Sequence, residues 1–324
     1  LIAEHVMAGL TAALIGPGRI GRHHAKWLAA CGCELVGFAC SSAEHLEPRA
    51  AELAETCGQT VPGFADVEAM LTTARPALVS VCSPAEEHLE HVAAALRAGC
   101  AVLCEKPLCW DSELDAAIDQ AERLAALATQ VGRPLGVNLQ YTLAGDDYRA
   151  LVGSRAAPRR VDVILESRGR GAERTPSEVW MELGPHALSL AQALAPGAAF
   201  EDGAWRAAGA PRTVVATGRL RRDGAAIAVR LETGQVMDGA LRRRFGADEE
   251  MVDYSGRNNA SGVYRTVLSG AAGERESEDW LQGSLRGFVA AVTSGVRPPI
   301  EASAALGNLR AQVTVAKLLS AEGE

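Results

Sequence analysis

Three glycines, in Gly16-Pro17-Gly18-Arg19-Ile20-Gly21, stand between an apolar run, Thr11-Ala12-Ala13-Leu14-Ile15, and a segment where Ile20, His24, Trp27 and Leu28 recur at helical spacing. No other feature restricts the fold of this chain so much. A buried strand that ends in a tight glycine turn and feeds an amphipathic helix is a βα unit. Each glycine has its own task in that reading. Gly16 permits the turn, Gly18 lets backbone approach a pyrophosphate, and Gly21 lets helix and strand pack closely. The helix start at Arg19 and Ile20 then faces the phosphates.

The same alternation continues along the first half. ELVGFA (34–39) predicts a second strand and residues 44–57 an Ala/Glu-rich helix. ALVSVC (77–82) is the next strand, and Leu89, Val92, Ala93 and Leu96 mark a helix stopped by Gly99. AVLCE (101–105) and PLGVNLQ (134–140) bracket a helix lined by Leu114, Ile118, Ala121 and Ala125. Parallel neighbours need crossovers, so the expectation is an α/β fold: a doubly wound dinucleotide-binding domain over 1–136. Residues 137–324 read as a second, α+β domain for substrate and oligomer contacts, with an open, mostly antiparallel sheet. There Val161, Val163 and Leu165 alternate with Asp162 and Glu166. Strands near 212–221, 225–232 and 235–245 are separated by Asp223-Gly224 and Thr233-Gly234, read as tight turns of an antiparallel meander. Two helices follow, one carrying Trp280, Leu281, Leu285, Phe288 and Val292, the other Leu306, Leu309, Val313 and Ala316.

Composition removes several function classes. A formal net charge of −8 over 324 residues disfavours nucleic-acid and anionic-membrane partners. No apolar run approaches the length of a membrane span. The leading residues lack a basic stretch and a cleavage signal, and read as a tail before the first strand. The eight cysteines fall partly inside apolar runs and show no zinc spacing, so no metal is expected and the thiols read as small buried hydrophobes of a cytoplasmic protein.

The end of the second strand bears on the cofactor. Sites that prefer NAD usually place a carboxylate there for the ribose hydroxyls. This chain has Phe38-Ala39-Cys40-Ser41-Ser42, with no carboxylate before Glu44 and no arginine. NADP is the expectation and NAD the alternative. Ser41-Ser42 also reads as the cap of the following helix.

Four separated pieces, in order, resemble the glucose–fructose oxidoreductase / inositol dehydrogenase / rhizopine-catabolism family. They are GPGRIGRHHAKWL with His24; Cys82-Ser83-Pro84 followed by His88; Glu105-Lys106-Pro107; and Glu182-Leu183-Gly184-Pro185-His186. The resemblance implies a nicotinamide-dependent oxidoreductase acting on a secondary alcohol or ketone of a sugar-like or cyclitol-like molecule, as a homodimer or homotetramer. It implies a dinucleotide site that includes Cys40 to Ser42, Cys82 to Pro84, His88, Glu105 and Lys106, and a cis Lys106–Pro107 bond. The chemistry is consistent with it: a histidine moves the hydroxyl proton and a lysine holds the reacting oxygen. Lys106, His186 and Glu182 are therefore the expected catalytic set, with Glu182 orienting one of the other two. Residues 182 and 186 are one helical turn apart and share a face; Pro185 suits only a first turn, so that helix is expected to begin near Glu182.

Glu182 departs from the family's usual Asp, and Tyr141-Thr142 stands where the family often has arginine. Gln140, Tyr141 and Arg168 are the expected substrate contacts. Arg168, Arg170 and Arg174 could meet a carboxylate or phosphate, or form a solvated loop. Reduction of a cyclic C=N bond, or cofactor sensing without catalysis, are the alternative functions; retention of Lys106 and His186 speaks against the sensor.

Overall fold

Burial decides where the strands of the first half run. In the computed structural model, which describes residues 9–153, 158–169, 171–296, 298 and 300–321, the apolar runs form β1 (Thr11–Ile15), β2 (Glu34–Ala39), β3 (Gly63–Phe64), β4 (Leu78–Val81), β5 (Ala101–Cys104) and β6 (Leu135–Val137). Every residue of β4 and β5 is buried, as expected for strands covered on both faces. All five pairings are parallel, in the order β3-β2-β1-β4-β5-β6, so the order reverses between β1 and β4. Ligands bind at such a switch point, beyond the carboxyl ends of the strands. The crossovers are α1 (Arg19–Ala30), α2 (Leu46–Cys57), α3 (Val67–Ala74), α4 (His88–Arg97) and α5 (Leu114–Val131).

The chain then forms α6 (Ala144–Val152), β7 (Arg160–Arg168), α7 (Pro176–Leu194), β8 (Ala199–Phe200), β9 (Arg206–Ala210), β10 (Thr213–Arg222) and β11 (Ala225–Val236). It continues through β12 (Arg243–Ala247), β13 (Glu250–Asn258), β14 (Tyr264–Gly270), β15 (Gly273–Glu278), α8 (Trp280–Ser294) and α9 (Ala302–Ala321). The nine-stranded sheet runs β15-β14-β13-β12-β7-β11-β10-β8, with β9 also on β10. It is antiparallel except between β11 and β7. Two compact units result: Leu1–Asn138 with Ser284–Leu306, and Leu139–Gly283 with Gly307–Glu324. The first takes back a C-terminal segment beyond the expected 1–136. Gly136 explains the attachment, since a side chain there would lie 2.7 Å from the Phe288 ring, and Val137 N donates to Ile300 O.

Three sequence expectations change. Thr233-Gly234 is not a turn: β11 passes through it, because a two-residue hairpin turn needs left-handed backbone and Gly234 has none. Asp223-Gly224, with φ of 52° and 80°, does turn. The strand after β11 joins the far side of β7, so 212–245 is not a simple meander. Finally, α7 begins at Pro176, six residues before Glu182. Thr175 caps it, accepting from Glu178 N while the Glu178 carboxylate takes Thr175 N. Pro185 therefore sits inside the helix. Its missing N–H would strand the Met181 carbonyl, and Gln312 Nε2 donates to that oxygen instead, at 3.4 Å. Leu1–Ala8, read as a tail, and Arg170 lie outside the described residues.

Candidate active site

The phosphate loop of the first unit is shaped by steric limits. Gly16 has φ of 84°, and a Cβ there would lie 2.6 Å from Ser83 N; a Cβ on Gly21 would lie 2.2 Å from Gly16 O. Loop, helix and the 82–84 segment are pressed together, which only glycine allows. Gly18 is different, with no atom within 4 Å of its would-be Cβ. It is the N-cap of α1 and brings no capping side chain to the first turn. Open space above bare backbone at a helix start fits a dinucleotide pyrophosphate. A cavity of about 670 Å³ begins here and includes Gly18, Cys40, Ser41, His45, Arg49 and Pro84 in its wall. Its volume lies in the usual range for a cofactor or ligand site.

Of the expected second-strand contacts, Cys40 and Ser41 line the cavity, Cys40 Sγ also donating to Ser42 O, while Ser42 Oγ donates to Glu44 at 3.1 Å. The cation missing from 38–42 comes from further on. His45 and Arg49, four residues apart, reach the cavity from the start of α2, and Arg49 also pairs with Glu52 at 2.6 Å. Asp66 and Glu68 line it too, Asp66 already accepting from Ala69 N.

Beneath the loop lies a buried polar chain. His24, fully buried, meets Ser80 Oγ at 2.7 Å through Nδ1 and Glu105 Oε1 at 2.9 Å through Nε2. Asn138 Nδ2 donates to the same Glu105 oxygen at 2.6 Å. Burial acts to lower the His24 pKa, but Cys82 and Glu105 outweigh it and raise it to about 10. Burial likewise works against ionised Glu105, yet the His24 hydrogen bond and charge bring it down to about 2. The pair is an imidazolium and a carboxylate. Glu105 Oε2 in turn accepts from Lys106 N at 3.3 Å, and the Lys106–Pro107 bond is cis. His88 ties this turn to the cofactor segment, one ring nitrogen on Pro107 O at 2.8 Å and the other on Ser83 O at 2.9 Å. Burial lowers its pKa. Cys82, His88 and Glu105 are thus buried supports of the loops, while Ser83 and Pro84 line the cavity.

In the second unit, Glu182 and His186 lie one turn apart on α7. The Tyr141 ring stands 4.8 Å from that of His186, with Gln140 opening the same short turn, 140–143. Tyr141 also meets Tyr254 and Trp280 edge-on at 5.8 Å and 5.6 Å, and those two stack at 4.8 Å. Asp147 fixes Trp280 by accepting its Nε1–H at 2.8 Å, along with Ser277 Oγ and Arg275 Nε. Glu182 is held by Arg174 and by Gln235 Nε2 at 2.9 Å. Arg168 is elsewhere. Alternation along β7 puts it on the opposite face from Ser167, and it donates to Val236 O and Gly239 O.

A glycine loop at the switch point of a 3-2-1-4-5-6 sheet, opening on a cavity of dinucleotide size, defines a dinucleotide-binding Rossmann unit. Residues 10–139 match the model described as the oxidoreductase family with an NAD-binding Rossmann fold. Residues 10–139 are thus similar to the Rossmann unit of the Gfo/Idh/MocA oxidoreductases. It is 34% identical over 139 residues to the D-glucoside 3-dehydrogenase of Escherichia coli, covering 42% of this chain and 36% of that enzyme. It is 39% identical over 112 residues to the inositol 2-dehydrogenase 3 of Saccharopolyspora erythraea, covering 34% and 31%. The matches thus span about a third of each relative's length. The fold is similar throughout to UDP-N-acetylglucosamine 3-dehydrogenase GnnA of Acidithiobacillus ferrooxidans, with TM-score 0.75 and 22% identity over 97% of this chain and 99% of that one. The scyllo-inositol dehydrogenase of Lactobacillus casei gives 0.71 at 15%, with 97% of each chain covered. Among the described residues no helix is long and apolar enough to cross a membrane, and no group of His, Cys, Asp and Glu is placed to hold a metal.

Proposed function

We propose that this protein interconverts a secondary alcohol and a ketone on a sugar-like or cyclitol-like substrate, using NADP in preference to NAD. The open cradle above Gly18, continuous with the cavity at Ser41, is the observation that carries the reading. The nicotinamide accepts or returns the hydride. The protein's own residues do the rest. Lys106, fixed by the Glu105–His24 pair and the His88 tie, holds the reacting oxygen; His186 removes the hydroxyl proton in oxidation and returns it in reduction. Glu182 orients one of these two groups and also anchors Arg174 and Gln235.

The NADP preference is supported by Ser41, His45 and Arg49, which offer donors and positive charge where a 2′-phosphate would lie, with no carboxylate between 38 and 43. The sugar and inositol dehydrogenases among the relatives support the substrate class. The eight free thiols support a reducing, cytoplasmic setting, and the open face of the nine-stranded sheet supports pairing of two or four copies. Turnover with sugars and cyclitols, read by nicotinamide absorbance, tests the reaction. Fluorescence titration with NADPH and NADH tests the cofactor: NADPH should bind more tightly, and Arg49→Gln should narrow the gap. Tighter NADH binding overturns the preference.

A further inference from the structure

Behind Glu182 the second unit carries polar groups that no side chain or backbone group satisfies. Ser167 Oγ, Gln235 Oε1 and Arg212 Nη1 are buried without a hydrogen-bond partner. Buried polar atoms of this kind are uncommon in a folded protein, and each needs a reason. Here they are neighbours. Ser167 and Gln235 are register partners across β7 and β11, so both point to the same side of the sheet. Gln235 is 6% exposed, and its Nε2 reaches Glu182. A Cβ built on Gly169 would lie 3.2 Å from Arg212 Nη1 and 3.6 Å from Gln235 Cβ, which sets the guanidinium over Gly169 and beside Gln235. Backbone bonds lock the group: Gln235 N donates to Arg212 O at 2.8 Å and Arg212 N to Arg174 O at 3.3 Å.

Arg212 is held there at a cost. Its φ of 63° is left-handed backbone, which an arginine adopts with strain. Among the described residues no carboxylate pairs with it, while nearby charges are already matched: Glu166 with Arg242, Glu178 in the helix cap, and Glu182 with Arg174. Arg174 is the cation that Glu182 answers, and among the described residues no ion pair answers Arg212. A strained arginine with a buried, unanswered N–H is the arrangement of a receptor for an anion.

We propose that Arg212, with Arg174 and Gln235, forms a subsite for an anionic group on the substrate, a carboxylate or a phosphate monoester. Arg212 donates to the anion's oxygens, and Gln235 Oε1 accepts from a neighbouring hydroxyl of the same molecule. Gly169 is part of the device, because a Cβ there would press on Met237 Sδ at 2.8 Å and on the guanidinium at 3.2 Å. This rests on the reading of Glu182 and His186 as the substrate end of the site, and it narrows the substrate to a sugar acid or sugar phosphate.

The test compares D-glucose, D-glucuronate and D-glucose 6-phosphate with NADP on wild-type protein, Arg212→Gln and Arg212→Lys, with melting curves to confirm folding. An anionic probe should exceed glucose at least tenfold in kcat/KM, mainly through KM. Arg212→Gln should remove most of that advantage and Arg212→Lys should keep part of it. The better of the two anionic probes separates carboxylate from phosphate. Wild-type turnover of glucose without an anion advantage, or an advantage unchanged in Arg212→Gln, overturns the subsite and leaves the oxidoreductase reading standing. If no probe is turned over, thermal stabilisation decides. Stabilisation by glucuronate or glucose 6-phosphate that is lost in Arg212→Gln supports the subsite while the reaction reading fails, and no stabilisation overturns the subsite.

Discussion

Replacing His24 by glutamine should cost the fold most near neutral pH and least in alkali. His24 is fully buried against Glu105, and breaking a buried pair from one side costs about 3–5 kcal/mol. The charge states give an independent bound. The His24 pKa moves from 6.5 to about 10 on folding, and each pH unit is worth about 1.36 kcal/mol, so the ceiling is about 5 kcal/mol. Because the folded value is the higher one, this stabilisation is complete below pH 6.5 and fades as the pH rises toward 10. Glu105, brought down from 4.5 to about 2, behaves oppositely: its stabilisation is complete above 4.5 and fades as the pH falls toward 2. The pair therefore works fully between about 4.5 and 6.5. At pH 9 most of the histidine contribution should be gone, because the solution is then close to the folded pKa of about 10. Melting temperatures of wild type and His24→Gln, measured from pH 6 to 9, should differ on the order of 10 °C at the acid end and converge toward the alkaline end. Two curves that stay parallel across that range would refute a charged His24.

Three further outcomes follow from the geometry. Gly18→Ala should leave the melting temperature unchanged or slightly higher, yet weaken NADPH binding more than tenfold, because its Cβ meets nothing in the protein; Gly16→Ala, which strikes Ser83 N with φ positive, should lower the melting temperature itself. His186→Ala should reduce kcat about 10²–10⁴-fold in single-turnover assays while fluorescence shows cofactor affinity intact; near wild-type hydride transfer would remove this histidine from the reaction. Gln312→Leu should destabilise by about 1–3 kcal/mol in denaturant melts, because it leaves the Met181 carbonyl without its donor in α7.

The first unit was legible from sequence because its determinants are local. Strand, glycine turn and helix are contiguous from Thr11 to Ala30, and strands covered on both faces announce themselves as unbroken apolar runs. Arg49 is not legible in the same way, because it lines the cavity from the first turn of α2, beyond the end of β2. The second unit was harder. β15, GERESE, has no apolar period at all, and β13 and β14 share theirs with exposed polar faces. The start of α7 is encoded in Thr175-Pro176-Ser177-Glu178, a capping box with proline in the first turn, while Pro185, which by itself suits a helix start, lies in the interior.

Pro185 also shows why the candidate site resists reading from one segment. A proline inside a helix is permitted only when some other group answers the freed carbonyl, and here that group lies 131 residues away in sequence. Gln312 receives further support from the same helix, since Trp180 Nε1 donates to its backbone oxygen at 2.9 Å. Asn308, on α9 as well, donates to Pro185 O at 3.1 Å. The turn of α7 that carries Glu182 and His186 is thus braced on one side by α9, while Gln235 of β11 holds Glu182 on another. Neither brace has a periodic or local signature, because each depends on a pairing between distant stretches: α9 on α7, and β11 parallel to β7. The motif could name the residues of the site, but the tertiary pairing decides what each one touches. That is how Glu182, one helical turn from His186, comes to be engaged by Arg174 and Gln235 as well.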